Sequence, residues 1–184
     1  VLGNAPGGLR GGLADMLEPF IFAAEGQPDR GVERINTSNN LPQPLPDVAR
    51  ALVFESAGRL QEAAAVYAQM IEGLDLTPPP DHEPRNMEEF ERALNAARIT
   101  HSVYRAALVH HRLGRTEEAR RFYTVVTEFA PRSEDVSENL RRLDAGQPPF
   151  EPALTPRSAA GRWMIFLSEF ITQAEMLSSV LASQ

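Results

Sequence analysis

The stretch AGRLQEAAAVYAQM at residues 57–70 returns as LGRTEEARRFYTVV at 113–126, and both copies keep Gly-Arg, then Glu-Ala, then an aromatic. With Gly58 and Gly114 as anchors, the match extends outwards at fixed offsets. A small residue stands seven before (Ala51, Ala107), a ring four before (Phe54, His110), and alanine five after (Ala63, Ala119). Tyrosine stands nine after (Tyr67, Tyr123), and an apolar residue twelve after (Met70, Val126). These offsets fall on one face of a helix on either side of the glycine. The pattern predicts helical hairpins: glycine ends the first helix in the left-handed conformation, and small residues let the two helices approach. Such a hairpin cannot bury its apolar face alone, so the units stack.

This pattern resembles the tetratricopeptide repeat, a helix-turn-helix unit, and Pro131 stands where the family closes its repeat. In the first copy Asp75 stands there, and neither copy has the large aromatic of the early first helix, where Asp47 and Val103 stand. The resemblance implies an all-α, right-handed superhelix of hairpins over 13–145, with clear repeats near 44–77 and 100–133. A looser copy near 13–40 is expected from FAAEGQPDRGVERI at 22–35, where Phe22, Gly26, Gly31 and Ile35 take the ring, glycine, alanine and tyrosine places. Leu13, Met16, Leu17, Phe20, Ile21 and Ala24 form a helical stripe ahead of it.

An insert at 75–99 separates the two clear copies. Its first part, DLTPPPDHEPR at 75–85, carries four prolines and is neither helix nor inner strand. Asn86 and Glu89 form a capping box, and apolar residues then recur with helical period, predicting one helix from about 87 to 113. Beyond Pro131 a short helix is expected, then a proline-rich crossover at 146–157. An apolar helix at 158–184 follows, starting at Thr155-Pro156. It carries Trp163, Met164, Ile165, Phe166, Leu167, Phe170, Ile171, Leu177, Val180 and Leu181, so it needs cover on two sides.

The bulk numbers narrow the function. With 42% hydrophobic and 23% charged residues among 184, the chain is a folded one. A net charge of −7 argues against nucleic acid. No cysteine is present, which excludes disulfides and thiolate chemistry, and no apolar run is long enough to span a bilayer. Val1 is not preceded by a charged and apolar leader, so an excised piece of a longer protein or a mature exported one is expected.

No catalytic, metal or cofactor site is expected. The glycine-rich lead at 1–12 lacks the Gly-Lys-Ser/Thr of a phosphate loop. His110 and His111 point about 100° apart on a helix and cannot share one ion, and Asp81, His82 and Glu83 sit on a loop where solvation is the default. The sequon NTS at 36–38 is too short a pattern to carry weight. Glu62, Glu117 and Glu118 belong to helix starts, where acids are favoured.

In the tetratricopeptide family the first helices line a concave groove. The resemblance therefore implies a partner-binding surface of Leu52 and Glu55 in one copy, with Val48 and Ser56 beside them. In the other copy it implies His101, Tyr104, Arg105, Leu108, His111 and Arg112. Members that clamp a chaperone's terminal carboxylate use lysines and asparagines there, and this chain has neither at those positions. The leading expectation is a non-catalytic protein-interaction scaffold binding a peptide or helix, with a protein partner and no nucleic acid. The alternative is a structural module that self-associates into a homo-oligomer through Trp163, Phe166 and Phe170. A weaker one is the accessory region of an enzyme whose catalytic part lies elsewhere.

Overall fold

The computed structural model describes residues 9–37, 41–80, 82 and 85–182. The lead at 1–8, Ser38 of the sequon, and Asp81 and Glu83 lie outside them. Among the described residues the chain forms eight helices and no strand. They are α1 (Leu9–Ala24), α2 (Pro28–Thr37), α3 (Leu45–Ser56), α4 (Leu60–Glu72), α5 (Met87–Arg112), α6 (Thr116–Phe129), α7 (Glu134–Asp144) and α8 (Pro156–Ala182). Helix α1 starts ahead of the expected residue 13, because the stripe that anchors it lets helix propagate backwards at less cost than it nucleates.

Consecutive helices pack on one another from α1 to α7, and the pairs α1–α2, α3–α4 and α5–α6 are hairpins. Each first helix ends in the same way. Gly26, Gly58 and Gly114 have φ of 75°, 74° and 70°. The amide after each glycine donates to the carbonyl four residues before it, Gln27 to Phe22 at 2.8 Å, Arg59 to Phe54 at 2.9 Å and Arg115 to His110 at 3.0 Å. This is the Schellman closure, which satisfies carbonyls that the helix end leaves free. Gly146, with φ 62°, closes α7 by the same bond from Gln147 to Arg142. No helix follows that turn directly.

The arginine after Gly58 and after Gly114 has its own work. Arg59 bonds to Asp29, and Arg115 bonds to Gln61. Asp29 and Gln61 both stand three residues past the glycine of the preceding hairpin, so the repeated Gly-Arg ties each turn to the one before it, across the insert as well.

The positions seven before and five after the glycine are the crossing point of each hairpin. Ala51, Ala63, Ala107 and Ala119 are all buried. In the first hairpin the same places hold Pro19 and Gly31, and a Cβ on Gly31 would lie 2.6 Å from the Pro19 carbonyl oxygen. The close approach of the Pro19 backbone thus requires glycine on the other helix.

The extended helix α5 is capped by Asn86, whose Oδ1 accepts from the Glu89 amide at 2.9 Å. Glu89 returns the bond to the Arg85 amide, one residue outside the cap, at 2.9 Å. Leu74 and Leu76 of the insert pack on the core that α4 to α7 share. A second core is built by α1, α2, α3 and α8. Helix α3 contributes to both.

Helix α8 folds back across the chain and packs on α1, α3 and α5, the first helix of each hairpin. Thr155 caps it: its Oγ1 accepts from the Ser158 amide at 3.2 Å and Ser158 Oγ accepts from the Thr155 amide at 2.9 Å. Trp163 and Phe166, expected on an association surface, are core residues, each 1% exposed. Half-buried Phe170 packs on the same cluster. They face inward because they share the stripe of Ala159 and Leu167, which three helices cover.

Gly31→Ala should lower stability by about 1–3 kcal/mol through the clash with Pro19, read as a fall in melting temperature. Ala63→Gly, at the matching place in the next hairpin, should cost only about 1 kcal/mol.

Candidate functional site

Arg105, on α5, is the centre of the face that α1, α3 and α5 share. Its side chain has no exposed surface, and a buried guanidinium has to be paired on every side. Its Nη2 donates to Glu55 Oε1 and its Nε to Glu55 Oε2 at 3.3 Å, a two-pronged contact with α3. Its Nη1 donates to Glu151 Oε2 at 3.1 Å, in the crossover. The Glu151 carboxylate also accepts from Arg162 of α8 at 2.8 Å. Arg112 completes the group, donating to Glu55 Oε1 at 3.1 Å and to the carbonyls of Glu151 and Pro152 at 3.0 and 2.9 Å.

Burial lowers the Arg105 pKa, but Glu55, Tyr67 and Glu151 outweigh it and the net shift is upward. Arg112, with more burial than compensation, is shifted downward. Tyr67 is pushed far up by burial and by Glu55, so its hydroxyl remains a donor to Glu55 Oε2, at 3.3 Å.

Glu55 and His111 occupy equivalent places, three before their glycines, and Tyr67 and Tyr123 equivalent places nine after. The Tyr123 hydroxyl meets His111 Nδ1 at 3.2 Å, so each clear hairpin carries one internal bond from its tyrosine to that position. In the first hairpin the same two places hold Ala23 and Ile35, both buried. The polar pair has been exchanged as a unit for an apolar one.

The crossover lies over this face as an irregular strap that bends at Phe150 and Glu151. The Gln147 carbonyl meets His111 Nε2 at 2.8 Å, and the Phe150 amide donates to Asn139 Oδ1 at 2.8 Å. Asn139 Nδ2 donates in turn to the Tyr104 hydroxyl at 2.9 Å. Pro149 is buried, Leu154 enters the second core, and Phe150 is 56% exposed. A cavity of about 320 Å³ remains open beside the strap, lined in part by His111, Arg112, Gly146 and Pro148.

The residues expected to line an open groove do converge on one face, but that face is covered. Leu52, Glu55, Arg105 and His111 are buried, and His101, Tyr104 and Arg112 half-buried, against the strap or α8, whereas Leu108 is buried in the core that α4 to α7 share. The expectation of a free surface is corrected: these side chains already have partners, supplied by the same chain. Glu151, Asn139 and Arg162 belong to the site and were not anticipated. The proline run marks 148–157 as extended without showing where it lands.

His101 stacks on Phe166 of α8 with ring centroids 5.6 Å apart, and its Nε2 is buried without a partner. Burial, with Arg105 and Arg162 adding to it and Glu151 opposing, brings its pKa down to about 4. Among the described residues no three His, Asp or Glu side chains gather as metal ligands do, and no helix is long and apolar enough to cross a membrane.

Two measurements check this arrangement. Glu55→Gln should cost about 3–5 kcal/mol, because it leaves Arg105 buried and half unpaired, and should appear as a large fall in the urea midpoint. His101 has a depressed folded pKa, so between pH about 6.5 and 4 the unfolded chain binds a proton that the folded one does not. Stability present at neutral pH is then lost as pH falls through that window, by on the order of 3 kcal/mol for this group. Melting temperature followed from pH 7 to 4.5 should fall less steeply for His101→Phe than for the unaltered chain.

Comparison with protein-family models, with curated proteins and with solved structures finds no match for this chain.

Proposed function

We propose that this chain is a non-catalytic protein-interaction scaffold, a right-handed superhelix of tetratricopeptide-like hairpins whose concave face holds an extended peptide or a helix. The shared offsets of the hairpins and the turn-to-turn bonds of Arg59 and Arg115 support regular stacking. The observation that carries the function is that this face is already occupied in the manner of a peptide complex. Side chains of α5 and α7 bond to the backbone of residues 147–152, and the half-buried Glu151 carboxylate anchors the segment. The strap acts as a ligand in cis, which a partner replaces.

The alternative reading, a self-associating module, keeps one observation in its favour. Ile165 and Met176, 58% and 46% exposed, lie on the face of α8 opposite Trp163. The two readings predict different behaviour. Phe150→Pro, which removes the strap's amide donor to Asn139, should raise the amount of protein captured on the immobilised chain by about tenfold, measured by quantitative mass spectrometry. Ile165→Glu with Met176→Glu should leave that capture unchanged. If the unaltered chain is a concentration-dependent dimer by light scattering, and the double substitution alone dissolves it, self-association is the function instead.

A further inference from the structure

The charges beneath the strap limit what can take its place. Arg105, Arg112 and Arg162 face two carboxylates, Glu55 and Glu151. Glu55 is fixed on α3. When the strap lifts, Glu151 leaves with it, and three guanidiniums then share one carboxylate, with Arg105 losing the acceptor of its Nη1. Guanidinium groups hold their charge and bind carboxylates by charge-assisted hydrogen bonds, so the vacated site attracts an anion. The backbone contacts add a shape. His111 and Arg112 meet carbonyl oxygens and Asn139 accepts from an amide, and together they hold an irregular chain that bends at Phe150 and Glu151.

We infer that the partner, on the scaffold reading above, presents an internal peptide that bends at a glutamate, which replaces Glu151 between Arg105 and Arg162. The strap itself supplies the pattern. A residue of proline-like size two before the glutamate fills the place of buried Pro149, and an apolar residue three after it fills the place of Leu154. Proline next to the carboxylate suits the site, because Arg112 bonds to the carbonyls of Glu151 and Pro152 and nothing there calls on an amide of Pro152. The exposed side chain of Phe150 sets no requirement. The cavity beside Pro148 gives a longer ligand room to enter.

A strap joined at both ends competes at an effective concentration on the order of millimolar. A peptide added at micromolar concentration therefore binds well only when the strap has been weakened. The probe is a fluorescent peptide of residues 146–157, with a second carrying alanine in place of its glutamate, titrated by anisotropy onto the full chain. Onto the Phe150→Pro chain, the glutamate peptide should bind at least about tenfold more tightly than onto the unaltered chain. It should also bind at least about tenfold more tightly than its alanine version, and lose affinity as salt rises. On the isotopically labelled unaltered chain, whose fold is not disturbed, millimolar unlabelled peptide should accelerate hydrogen exchange at the Phe150 amide.

Equal binding of the two peptides, or no effect of either one on that amide, would overturn the assignment of an acidic ligand. A Phe150→Pro chain that dimerises and cannot be dissociated by the peptide would overturn it too, since the occupant would then be the strap of a second copy. If capture by the Phe150→Pro chain rises while neither peptide binds, the scaffold reading stands and only the ligand chemistry fails.

Discussion

The pairing of Arg105 with Glu55 and Glu151 is the constraint on which the other parts depend. Arg105 lies where three separate pieces of chain meet: α3 of one hairpin, α5 of the next, and the crossover that returns towards α8. Because the guanidinium cannot be left bare in a water-free place, each piece is fixed relative to the other two. The apolar cores lie on either side of it, one built by α4 to α7 and the other completed by α8. The ion cluster is the polar seam between them, and it gives directional specificity where apolar packing tolerates sliding.

A second constraint acts hairpin by hairpin. The glycine sets the angle of the turn, the small pair sets the depth of the crossing, and the tyrosine bond holds the two helices in one register. These choices compensate one another within a unit. The first hairpin shows it best, with Pro19 matched by Gly31 and Ala23 matched by Ile35. The units differ in residue type, but the crossing pairs agree in bulk and each tyrosine-place pair is balanced in hydrogen bonding, which is what close packing requires.

Much of this was legible in the sequence, for a physical reason. Helical period, glycine stops and caps are local, and local signals are written within a few residues of their effect. The helical class, the glycine turns, the length of α5 and the cap at Asn86 are all of this kind. Gly146 could have been recognised as a turn glycine too, since it follows Gly114 at the interval that separates Gly26 from Gly58. What could not be read is where non-local pieces land. Glu151 is one of 25 acidic residues and its partner Arg105 lies 46 positions away. No feature near it marks it as an anchor. The groove residues were chosen by the face they share, which holds, but a pattern within one helix does not say what covers that face. Trp163 and Phe166 were misread for the same reason: strong apolarity indicates burial without naming the other side.

The return of α8 has a bearing on how the chain comes to be folded. Phe20, Ile35, Leu45 and Val48 leave the ribosome before the side chains that seal them, Trp163 and Phe166, which follow only after α4 to α7. Until then the first hairpins expose an apolar face, and contacts that close over so long a stretch of chain form slowly. A nascent chain is therefore open to chaperones, or to wrong association, while α4 to α7 are being made. The face closes in a docking step that waits for α8 to come off the ribosome.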